Sequence, residues 1–213
     1  MKNGPLFFLG IFAALALSWA GLALGPTAQL GGLAPYYDKG EDKAFPERSP
    51  GVASRGRLVY ADLGCAACHT QEVRRPGFGD DQERKWGDRQ SVARDYIHQD
   101  RVQLGQTRVG PDLTNYGARI EAAEKDPVRR EQAVYNYLYR GTSAMPAYAF
   151  LFEENPANAQ PSAKAVAREG DREIVPSARA EVLAAYLLSL KTVYDYPEAK
   201  PVVIAAEKEA EHK

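Results

Sequence analysis

The sequence predicts an all-α domain hung from one N-terminal transmembrane helix. Three observations carry that expectation. Pro5 to Leu24 is a run of 20 residues without a charge, enough at helical rise to cross a hydrocarbon core of ~30 Å. Three later segments repeat apolar residues at helical spacing. No strand-like alternation of any length appears between them. The 213 residues allow one or two domains, and 27 Lys plus Arg against 28 Asp plus Glu give no reason to expect nucleic acid as a partner.

Residues 1–24 are the anchor. A cleaved signal peptide is the competing reading, and Ala20 and Ala23 are small enough to support cleavage. Its apolar region would be too long, however, and Lys2 is a thin basic region. Lys2 and the terminal amine are the only charges before the span, so the positive-inside rule leaves the N-terminus in the cytoplasm. Everything after Leu24 then lies on the outer side. Residues 25–50 are rich in Gly and Pro and read as a linker or stalk. Tyr36 and Tyr37 are its candidates for contact with a partner. The domain proper spans 51–196, with a polar insertion at 153–175, and 197–213 is a charged, mobile tail.

Within the domain, Ser54 to Asp62 is expected to be helical, with Leu58, Val59 and Leu63 on its apolar side. Asp126-Pro127 is an N-cap and first-turn pair, opening a helix that runs to Arg140 and stops at Gly141. Its stripe is Val134, Tyr135 and Leu138. Ser177 caps a last helix to Leu190, with Val182, Leu183, Tyr186, Leu187 and Leu190 as a continuous stripe.

The chemistry is carried by Cys65-Ala-Ala-Cys68-His69, which contains both cysteines of the chain. Cys-x-x-Cys-His is the attachment motif of c-type haem. Two thiols at this spacing bond the two vinyl groups of one porphyrin, and His69 becomes an axial ligand. A thioredoxin-like thiol pair would need a βαβ context, and a structural zinc site would need four ligands. One covalent haem c on a class I cytochrome c-like domain is the resulting expectation. Met145, the only internal methionine, sits in a loop after a helix and is followed by Pro146, an arrangement suited to holding a thioether at iron. The bland alternative is a gap-filling core methionine. His98 reads as a packing or surface histidine, and His212 lies in the charged tail.

Together, G-R-L-V-Y, G-C-A-A-C-H-T-Q-E-V-R, K-W-G-D, T-R-V-G-P-D-L and S-A-M-P-A-Y resemble the monohaem cytochrome c subunit (CcoO/FixO) of cbb3-type cytochrome c oxidases. The resemblance runs from the anchor to about Tyr196. It implies a haem wedged between crossing N- and C-terminal helices. It also implies a haem-copper catalytic subunit and another cytochrome c subunit as partners. By the same resemblance, Pro111 lies beside His69 and its carbonyl accepts the imidazole N–H. Arg108, Arg74 and Arg75 are candidates for the haem propionates, because a guanidinium fork matches a carboxylate; Arg74 and Arg75 compete for one place. Trp86 and Tyr116 read as core aromatics, and Tyr135, Tyr137 and Tyr139 should spread round their helix.

The expected function is electron transfer into the catalytic subunit, from the outer face of a bacterial cytoplasmic membrane. The chain shows no acid, base or nucleophile constellation of its own, so it is not expected to be an enzyme alone. Three rivals remain at this point. One is an independent tethered shuttle, whose stalk would let the domain swing. Another is a haem sensor or peroxidase, which would need an exchangeable sixth position. The last is a redox-inert structural subunit.

Overall fold

The computed structural model describes residues 3–157, 162–192 and 194–200. The expected helices are present, but the chain is not all-α: two small antiparallel sheets accompany them.

Helix α1, Gly4–Leu30, is long and apolar enough to cross a membrane, and none of its hydropathic window is buried. It continues six residues past the expected end at Leu24. Pro26 would break a regular ladder by its missing N–H and its ring. A π-helical turn at Ala20–Leu24 lies just before it and absorbs the mismatch.

The stalk is folded rather than loose. Strand β1, Tyr36–Asp38, pairs antiparallel with β2, Lys43–Phe45. Phe45 stacks on Tyr194 at 4.2 Å between ring centroids. Tyr36 packs on Tyr194 and Tyr196. Asp38 accepts a hydrogen bond from the Tyr194 hydroxyl at 2.5 Å, Arg94 donates to the Ala34 carbonyl, and His98 Nε2 pairs with the Pro46 carbonyl at 3.1 Å. The Tyr194 hydroxyl holds the Asp38 carboxyl below the usual carboxylate range.

Helix α2, Gly51–Asp62, starts three residues before the expected Ser54. Its buried face is Ala53, Gly56 and Tyr60, while Leu58 is 63% exposed. Val59 and Leu63 of the expected stripe pack against the core, but Leu58 does not, because a small residue, Gly56, marks the closest contact. A Cβ on Gly56 would lie 1.8 Å from the Val182 carbonyl oxygen, so the backbone of α2 meets the last helix directly. Helix α3, Tyr116–Ala123, was not expected from the sequence. It reaches the same last helix through Gly117, whose Cβ would lie 2.1 Å from the Leu188 carbonyl oxygen. Helix α4, Pro127–Arg140, opens as expected on Asp126, which accepts from the Val128 N–H at 2.9 Å, and closes at Gly141. Val134, Tyr135 and Leu138 are its buried face.

The second sheet overturns the all-α expectation within the supposed insertion. Strands β3, Phe152–Pro156, β4, Ala167–Glu169, and β5, Arg172–Pro176, pair in the order β3-β5-β4. Among the described residues of this region, only Val166 and Ile174 join the core cluster as buried residues. The strands are polar along most of their length, so backbone pairing, not an apolar pattern, defines them. Buried Glu173 accepts the Ser162 N–H at 3.0 Å.

Helix α5, Ala178–Ser189, starts with Ser177 as its cap and buries Ala180, Leu183, Ala184, Tyr186 and Leu187. It crosses α2 and packs on α3 and α4, so the core lies between the first and last helices of the domain. Tyr196 and Ala199 are also buried. The expected tail, 197–213, begins inside the folded domain, since Pro197–Ala199 form a helical turn; residues 201–213, His212 among them, lie outside the described residues.

Candidate functional site

The site begins where α2 ends. Gly64 takes φ 71°, a left-handed conformation that costs glycine no Cβ clash, and turns the chain into the Cys65–Ala67 helical turn. The His69 N–H donates to the Cys65 carbonyl at 3.0 Å, closing the pentapeptide. A second segment then stitches to it. The Gln106 N–H donates to the Ala66 carbonyl at 2.8 Å, and the Gly110 N–H to the Cys68 carbonyl at 2.9 Å.

Each residue of Gly110-Pro111-Asp112-Leu113 has a separate task. Gly110 lies against the His69 ring, where a Cβ would come within 2.3 Å of Cε1. The Pro111 carbonyl accepts from His69 Nδ1 at 2.8 Å. A carbonyl cannot donate, so the proton belongs on Nδ1 and the lone pair of Nε2 is left free. Asp112 is fully buried. It accepts from Thr70 Oγ1 at 2.7 Å and from the N–H groups of Glu72 and Thr114, each at 2.8 Å. That clamp fixes the segment carrying His69 against the loop that orients it. Leu113 belongs to the core cluster.

The methionine loop follows α4. Gly141 at φ 63° passes so close to it that a Cβ would lie 2.6 Å from the Met145 carbonyl oxygen. The Thr142 N–H donates to the Met145 carbonyl at 2.8 Å, and the Met145 N–H to Thr142 Oγ1 at 3.0 Å. The loop is thus closed on itself, with Met145 packed against the core.

These elements enclose a cavity of ≈520 Å³ whose wall includes Cys65, Cys68, His69, Pro111 and Met145. Leu113, Val134, Leu138 and Leu187 supply much of its apolar lining. Burial pushes the Cys65 thiol up to about 11. A reactive redox pair has a lowered thiol pKa, so this environment does not suit disulfide chemistry. The cavity suits a large, flat, mostly apolar group that needs a nitrogen ligand: one imidazole of defined tautomer, one thioether, two thiols and an apolar wall.

The expected arginines stand elsewhere. Arg74 and Arg108 share the fully buried Asp81, each with a guanidinium nitrogen 2.8 Å from a carboxylate oxygen. Burial alone would raise the Asp81 pKa, but the two guanidiniums hold it below the usual carboxylate range. Arg75 lies over the Phe78 ring at 3.8 Å. None of the three lines the cavity, whereas Arg84, Trp86, Tyr116 and Arg119 do. Tyr137 lines it too, while Tyr135 is buried on another side of α4. His98 lines a separate cavity of ≈320 Å³. Arg119 has no local sequence signal: its helix is short, and Asn115 before it makes no side-chain capping hydrogen bond.

A comparison with curated proteins finds no match. Among protein families, the one described as cytochrome C oxidase, mono-heme subunit/FixO matches residues 48–186, most of the chain, with Cys65, Cys68, His69 and Met145 inside the match. That match agrees with the resemblance of the motifs around Cys65, Thr107 and Met145, and it makes the chain a one-haem subunit that associates with an oxidase complex. The chain belongs to the cytochrome c oxidase mono-haem subunit family, FixO.

Proposed function

We propose that this chain would hold its haem covalently, through thioethers to Cys65 and Cys68, with His69 and Met145 supplying the protein ligands to its iron. The haem domain stands on the outer face of the bacterial cytoplasmic membrane. There it passes electrons from another cytochrome c subunit to the haem-copper catalytic subunit. The observation that carries this reading is His69, oriented through Nδ1 by Pro111 at 2.8 Å and lining a cavity shared with both cysteines and Met145.

When bound, the haem supplies a one-electron ferric/ferrous couple. The residues do the rest. Pro111 makes His69 a stronger electron donor by accepting its N–H. The closed Thr142–Met145 loop presents a thioether with little freedom to leave. Leu113, Val134, Leu138 and Leu187 exclude water and keep the local dielectric low. If His69 and Met145 both held the iron, no position would remain for an exchangeable ligand, which disfavours a sensor or a peroxidase.

The tethered shuttle is the rival that the stalk addresses. A swinging domain needs a loose linker. Here the hairpin β1–β2 is held to the domain by aromatic packing and by Asp38–Tyr194, and only five residues separate α1 from β1. This supports a domain docked above a partner. The test is to solubilise membranes in mild detergent and pull on this chain. Co-purification with a haem-copper subunit and oxidase activity is expected. Emergence of the chain alone, with activity left behind, would establish the shuttle.

A further inference from the structure

Arg119 is a cation placed where a cation is costly. It sits on α3, half-buried, in the wall of the larger cavity. Its guanidinium donates to two backbone carbonyls, Asp112 at 2.7 Å and Trp86 at 3.2 Å. A guanidinium has five N–H donors; the remaining ones have no acceptor among the described residues. No carboxylate pairs with it there either. The nearby Asp112 carboxylate is occupied by Thr70, Glu72 and Thr114. The desolvation of this site lowers the Arg119 pKa, with Asp112 and Tyr116 opposing the shift.

The other arginines differ in kind. Arg74 and Arg108 already share Asp81. Arg84 lines the cavity but is exposed, and its nearest carboxylate, Asp80, is 4.0 Å away. A fork fixed by two carbonyls, short of an anion and facing the cavity, is preorganised for a planar carboxylate.

We propose that Arg119, not Arg108, is the residue that anchors a propionate carboxylate of the bound haem, with the Trp86 and Asp112 carbonyls aiming its fork. The proposal rests on the haem reading above. It makes α3 a positioning element and gives Gly117 a reason: only a glycine lets α3 approach α5 closely enough to bring Arg119 to the wall. Besides the haem-binding residues themselves, the titratable and charged groups on the cavity wall are Arg84, Arg119, Tyr116, Tyr137 and Tyr148, and Arg108 lies 5.8 Å from the Trp86 ring.

The test uses the full-length chain with its haem, in detergent, as wild type, Arg119→Lys, Arg119→Gln and Arg108→Gln. The propionate bending mode in the resonance Raman spectrum is expected to shift in both Arg119 variants and to stay in place in Arg108→Gln. The midpoint potential of Arg119→Gln is expected to fall with rising pH between about 5 and 7, because a desolvated carboxylate without its cation titrates nearer neutrality. Wild type, Arg119→Lys and Arg108→Gln should stay flat over that range. If Arg119→Gln does not retain haem, the Raman shift in Arg119→Lys decides. An unmoved mode in Arg119→Lys, or a shift confined to Arg108→Gln, overturns the assignment. Covalent haem and a low-spin spectrum in wild type keep the underlying reading standing in that case. Their absence overturns both.

Discussion

Replacing Gly110 by alanine should displace the ring of His69, the proposed iron ligand. The new Cβ would lie 2.3 Å from Cε1 and 2.6 Å from Nδ1 of His69. Ordinary contact between such atoms is about 3.5 Å or more, so the ring must retreat by roughly 1 Å. The His69–Pro111 hydrogen bond at 2.8 Å has no slack for that. It would lengthen past hydrogen-bonding range. The loop cannot yield instead, because the Gly110 N–H is bonded to the Cys68 carbonyl and Asp112 clamps the other side. Overpacking of this kind costs about 1–3 kcal/mol. The assay pairs thermal unfolding with absorption spectroscopy of the haem-loaded chain. Gly110→Ala should lower Tm and weaken the low-spin signature. Gly77→Ala is the control: its φ of 82° carries strain, but nothing lies within 4 Å of its Cβ. It should cost about 1 kcal/mol and leave the spectrum unchanged. A Gly110→Ala protein with wild-type Tm and spectrum would refute the reasoning.

Other perturbations probe other parts of the structure. Gly56→Ala places a Cβ 1.8 Å from the Val182 carbonyl oxygen and should destabilise the α2–α5 crossing by about 3 kcal/mol, read as a lower Tm, with the ligand spectrum intact in the surviving folded fraction. Met145→His should keep the iron six-coordinate and low-spin while lowering its midpoint potential in a redox titration, because imidazole favours ferric iron more than a thioether does. Asp81 has a depressed carboxyl pKa, so its contribution is present above the ordinary carboxylate value and is lost as pH falls below it. In denaturant titrations, Asp81→Asn should therefore lose more stability at pH 7 than at pH 3.

The sequence showed the helices where caps and stripes coincide. Asp126-Pro127 and Ser177 mark real starts because a side-chain oxygen meets an orphan N–H there. Leu58 misled because helical periodicity reports a face but not its partner, and here the contact face is built on Gly56. The β3-β5-β4 sheet was invisible because Glu153, Glu154, Arg168 and Arg172 give it a polar sequence. The Cys65–His69 pentapeptide was legible as a site because its spacing is chemistry. Gly110 and Asp112 act through space left empty and through buried hydrogen bonds, neither of which has a local sequence signature. Arg119 needed the placement of α3 against Trp86, two stretches about thirty residues apart.

The most direct measurement of the central claim is the intact mass of this chain after denaturation, taken from the purified membrane complex. The proposed thioethers predict the chain mass plus one haem, reduced to a less securely attached haem in Cys65→Ala or Cys68→Ala. A bare polypeptide mass from a preparation that was red before denaturation would contradict covalent attachment at Cys65 and Cys68.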